Sequence, residues 1–159
     1  MIWIFIASFS FSIAQNESLI SKYEKAYEDE KLTKKIIGEL EKKSKLTSTE
    51  KAYLGALNML MANHVGNPFS KISYFQDGKE LLESATKEDA DNIEIRYLRF
   101  INQVEIPSIL GYKSNIEEDK KIILDRLSEL SGTEVHERMV KYLQQCPQLT
   151  NQERQKLIK

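Results

Sequence analysis

Residues 72–104, ISYFQDGKELLESATKEDADNIEIRYLRFINQV, carry two apolar patterns of helical period on either side of the polar turn Glu88-Asp89-Ala90-Asp91-Asn92. In the first, Ile72, Phe75, Leu82 and Ala85 fall on one helical stripe. In the second, Ile93, Tyr97, Phe100, Ile101 and Val104 repeat at i, i+4, i+7, i+8 and i+11. The spacing predicts an αα-hairpin whose two helices each bury a face. Ile95 and Leu98 add apolar positions off the second stripe, so that helix is expected to be the most buried element.

The same logic extends along the chain. Asn16 suits the cap of an amphipathic opener carrying Leu19, Ile20, Tyr23 and Tyr27, and Leu32, Ile36 and Leu40 mark a second helix ending in a lysine-rich stretch. Thr47 and Glu50 have capping-box spacing ahead of a wide apolar face that runs from Ala52 to His64, where Gly55, Ala56 and Ala62 allow close packing. Gly66 suits a helix C-terminus, and Asn67-Pro68 an N-cap followed by the first helical position. Asp91 or Asn92 then caps the next helix. Asn115, with Glu118 three residues on, predicts another start with Ile116, Ile123, Leu127 and Leu130 as its stripe, and Gly132 ends it. Thr133 opens a helix over 134–145 that Pro147 stops, and Thr150 with Glu153 caps a short terminal helix holding Leu157 and Ile158.

The segment GKELLESATKEDADN, followed by a fresh amphipathic helix, resembles a junction between tetratricopeptide repeats. That resemblance places Gly78 and Ala85 where small residues let paired helices approach, with Ala90 where the family usually has proline. The whole chain also resembles short exported helical proteins of Bacteroidota, which implies a compartment and no chemistry. Predicted helix starts near 16, 47, 91 and 133 give paired spacings of 31, 44 and 42, too uneven for regular repeats of about 34 residues. The expected fold is all-α: an irregular α-α superhelix of antiparallel helix hairpins, tetratricopeptide-like, with about seven to eight helices.

Residues 1–14, MIWIFIASFSFSIA, are uncharged and end in Ser12-Ile13-Ala14, small residues at the positions a signal peptidase accepts. They are read as a signal peptide, leaving residues 15–159 as a single helical domain that is periplasmic or secreted and has no membrane span after cleavage. About 145 residues bury roughly 68% of their unfolded surface, enough for a self-sufficient core. Lys and Arg total 23 against 24 Asp and Glu, and this near-neutrality argues against bulk nucleic-acid binding. The single cysteine, Cys146, lies on the stripe Val135, Met139, Tyr142, Leu143 and reads as a buried apolar residue.

Chemistry-bearing patterns are sparse. Two histidines, His64 and His136, and one cysteine supply no zinc cluster, and the chain has no phosphate-binding glycine loop and no nucleophile elbow. No cofactor, metal or catalytic residue is expected. Three groups are candidates for partner binding. His64, Asn67 and Tyr74, with Asp77, can form a polar corner. Arg96 and Arg99 suit an acidic peptide or carboxylate, or pair with Glu94 or Gln103. Ile109, Leu110 and Tyr112 lie in the unusually apolar connection 106–115, which either folds back over the core or presents a recognition surface. Two functions follow: a non-catalytic scaffold of the cell envelope binding an unknown protein or peptide, or a small ligand-binding protein or enzyme using the corner around His64, Asn67 and Tyr74.

Overall fold

The computed structural model describes residues 17–157. The stretch read as a signal peptide, the Asn16 cap and Ile158 lie outside the described residues. Among the described residues eight α-helices follow one another: α1 (Leu19–Ala26), α2 (Glu30–Glu41), α3 (Ser48–His64), α4 (Pro68–Glu88), α5 (Ile93–Glu105), α6 (Ile116–Arg126), α7 (Glu134–Gln145) and α8 (Asn151–Lys156). Short 3-10 turns at Ser108–Leu110 and Leu127–Leu130 flank α6, and no strand occurs among the described residues. The protein is all-helical.

Local capping chemistry sets most helix starts. Thr47 and Glu50 form the full capping box of α3, and Thr150 and Glu153 that of α8. Asn67 accepts from the Phe69 and Ser70 amides with Pro68 at the first helical position, Asn92 accepts from Glu94 and Ile95, and Thr133 accepts from His136. Each such cap satisfies an amide that the helix itself cannot, worth about 1 kcal/mol.

Three local expectations are corrected. The C-terminus of α3 closes on extended Val65, and the only glycines with positive φ are Gly111 and Gly132, so Gly66 supplies no left-handed cap. Asn115 does not cap α6 through its side chain, because its Oδ1 is taken by Gln103 Nε2 at 3.3 Å and by the Ser114 hydroxyl at 3.0 Å. Ser18, whose hydroxyl accepts from the Ser21 amide at 3.3 Å, is the cap of α1.

Helix α3 is the centre of the fold and packs on α1, α2, α4 and α5. Its residues from Ala52 to Met61 are all buried. The tightest pairing is α3 with α4, which differs from the α4–α5 emphasis of the sequence pattern, and two glycines explain it. A Cβ on Gly55 would lie 2.7 Å from the Gly78 carbonyl oxygen, and one on Gly78 would lie 2.5 Å from the Gly55 carbonyl oxygen. Only hydrogen fits where these backbones meet. Helix α5 buries ten of its thirteen residues, as its broad apolar coverage predicts. At the start of α4 the predicted stripe fails: Ile72 is 51% exposed, because these first turns border an open cleft. The core runs from Ile20 to Leu157 and includes buried Cys146, and no described helix is long and apolar enough to cross a membrane.

Candidate functional site

The arginines that suited an acidic partner turn inward. Asp119, on α6, is fully buried at 0% exposure and accepts from Arg96 Nη1 at 2.9 Å, Arg99 Nε at 2.7 Å and Arg99 Nη2 at 2.8 Å. Glu118 completes the Arg96 side at 2.8 Å and Glu83 the Arg99 side at 3.2 Å, while Arg96 Nε also donates to the Ala90 carbonyl. Neither Glu94 nor Gln103 is the partner. Burial opposes the Arg99 charge, and the hydrogen bonds and field of Asp119 overcome it, holding its pKa above the ordinary arginine value. The network joins α4, α5 and α6 and offers no open arginine fork to a ligand.

No hydrogen bond closes the polar corner among the described residues. Asn67 spends its side-chain oxygen on the α4 amides, and Asp77 is exposed and accepts from Ser73 at 3.4 Å. His64 ends α3 half-buried, its Nε2 enclosed without a hydrogen-bond partner, and Tyr74 is half-buried on α4. No hydrogen bond joins His64, Asn67, Tyr74 and Asp77 among the described residues, and no cluster of three His, Cys, Asp or Glu there is placed to hold a metal ion.

Part of the apolar connection folds back over the core and part stays exposed. Tyr112 folds back to 3% exposure: its hydroxyl donates to Glu83 at 2.6 Å, its ring meets Phe75 edge-on at 6.2 Å, and Lys79 lies 5.2 Å from the ring centre. Ile109, at 94% exposure, and Leu110 stay outside on the 3-10 turn. Backbone reversal through Gly111, at φ 63°, separates the two behaviours.

Beneath Leu110 opens a cleft of about 630 Å³, enclosed by α1, α3, the first turns of α4, the end of α5 and the turn after it. Met59, Leu60, Phe75 and Pro107 form its apolar wall; Ile72, Leu110 and Tyr27 are its exposed rim. A few polar groups converge on it: Asn63, Lys71, Gln76, Asn102 and Glu105. An apolar hollow with sparse polar groups is the usual form of a ligand site. Lys71 Nζ is already directed to the Ala62 carbonyl at 3.1 Å. Glu105 lies at the far edge, exposed to solvent, and its carboxylate accepts from the Tyr142 hydroxyl at 3.4 Å. Of the predicted site residues, Leu110 alone lines this cleft. Tyr23, Tyr27, Ile72 and Phe75 were legible only as apolar stripes, and Glu105 carried no signal beyond its place at a helix end.

No protein-family model, curated protein or solved structure matches the chain.

Proposed function

We propose that this protein is a non-catalytic helical scaffold that binds a protein or peptide segment, acting in the periplasm or outside the cell. The observation that supports this most is the rim of the large cleft. A folded chain with a sufficient core gains by covering Ile72, Leu110 and Tyr27, at roughly 25 cal/mol per Å² of apolar surface, yet leaves them around an open hollow. An apolar side chain from a partner segment fills such a hollow as an anchor, the arrangement by which few residues carry most of a binding energy. The uncharged stretch 1–14 supports export.

Selection of random displayed peptides against the full-length chain tests this reading. Enriched peptides share an apolar anchor and lose at least about tenfold in affinity, about 1.4 kcal/mol, toward the Ile72→Asp, Leu110→Asp double variant, whose melting curve is unchanged. No enrichment, or equal binding to the variant, rejects it.

A further inference from the structure

A second hollow, of about 550 Å³, lies between α1, α5 and α7, and it shares Tyr23, Tyr27 and Glu105 with the first. Its wall is unusual in composition. Four tyrosines, Tyr23, Tyr27, Tyr97 and Tyr142, line it, with Tyr97 and Tyr142 meeting edge-on at 5.9 Å and 85°. Three carboxylates, Glu24, Glu28 and Glu105, also face it, against one cation, Lys25. Two of these four charges are already spent: Glu24 pairs with Arg138, and Lys25 with Glu17 at 2.6 Å. Glu28 and Glu105 have no Lys or Arg partner among the described residues. The Tyr142 hydroxyl donates to Glu105 at 3.4 Å, and Tyr27 lines the same hollow. Phenol rings and an uncompensated carboxylate around one concavity are the groups that recognise an organic cation, the rings through their π faces and the carboxylate through charge-assisted hydrogen bonds.

We infer that this tyrosine-lined cleft receives a cationic side chain, lysine or arginine, of the same partner segment whose apolar side chain fills the larger cleft. The inference rests on the proposed binding function and adds a requirement to it. Tyr23, Tyr27 and Glu105 line both hollows, so one short segment reaches both, its apolar anchor in one and its basic residue in the other.

The test uses the full-length chain with isotope-labelled tyrosine rings and two probes, N-acetyl-lysine methylamide and its neutral counterpart N-acetyl-norleucine methylamide. The lysine probe is expected to shift the Tyr27 and Tyr142 ring signals with a Kd at least tenfold lower than the norleucine probe, and Glu105→Gln removes that preference while Tyr74, which lines neither cleft, keeps its signals. Equal affinity for the two probes, or a lysine preference that survives Glu105→Gln, overturns the inference. The wild-type comparison decides the matter even where the variant disturbs the fold. Competition by free n-butylammonium at equal strength would identify a site for small amines and overturn the peptide assignment. The two failures are distinguishable: loss of the lysine preference leaves the larger-cleft reading to its Ile72 and Leu110 variants, and a failed peptide selection with the preference intact rejects that reading and with it the shared segment, leaving a cation site in the tyrosine-lined cleft.

Discussion

Asp119 shows how much one side chain settles here. It contacts both buried arginines and has no exposure of its own, so Asp119→Ala leaves Arg96 and Arg99 with only the more exposed Glu118 and Glu83 as charge partners. Removing one partner of a buried pair costs about 3–5 kcal/mol, and a urea midpoint lowered by that equivalent is the expected result. Glu94 poses the opposite case. Burial raises its carboxyl above the usual range, the Tyr53 hydrogen bond opposing, so the folded chain holds this proton more tightly than the unfolded chain does. Stability from this group is therefore present below its unfolded titration and lost as pH rises through the folded one. Glu94→Gln keeps an acceptor for Tyr53 and removes the titration. In thermal melts its Tm relative to wild type should rise between pH 4 and pH 7; a constant difference would contradict the assignment.

Helix packing depends on glycine at two positions and tolerates replacement at a third. Gly55→Ala and Gly78→Ala each force a methyl against backbone that cannot yield, so α3 and α4 must part, at a cost of about 1–3 kcal/mol. Gly38 lies within α2 with nothing within 4 Å of a Cβ, and Gly38→Ala should stabilise by about 0.5–1 kcal/mol. Chemical denaturation of the three variants gives the sign directly. The helices themselves were largely legible because their signals are local. Thr47 with Glu50, Asn67 with Pro68, and Thr133 announce starts within three residues of sequence, and the structure uses each of them. Asn115 had the same spacing and failed, because Gln103, from the preceding helix, claims its side-chain oxygen. A local rule cannot register a competitor that arrives through tertiary packing.

That limit grows with distance along the chain. Asp119 reads as one of three consecutive acids at a helix start, and nothing nearby in sequence says that arginines 20 and 23 residues earlier will close on it. The clefts are less legible still. Tyr23 comes from α1 and Tyr27 from the residue that closes it, Met59 and Leu60 from α3, Ile72 and Phe75 from α4, and Glu105 from the end of α5, each an ordinary stripe or helix-end residue until the helices assemble. The connection 106–115 was legible as unusual, and its division into buried Tyr112 and exposed Ile109 and Leu110 follows from a left-handed glycine between them. Assembly thus makes two adjoining hollows from residues whose individual patterns specify only helix faces. The central claim is that a partner's apolar side chain seats in the larger one. Isotope-filtered NOEs between a selected peptide and the labelled full-length chain measure this directly. Contacts from the peptide's apolar anchor to Ile72, Phe75 and Leu110 are the predicted result; contacts confined to another face, such as the surroundings of His64 and Tyr74, would contradict it.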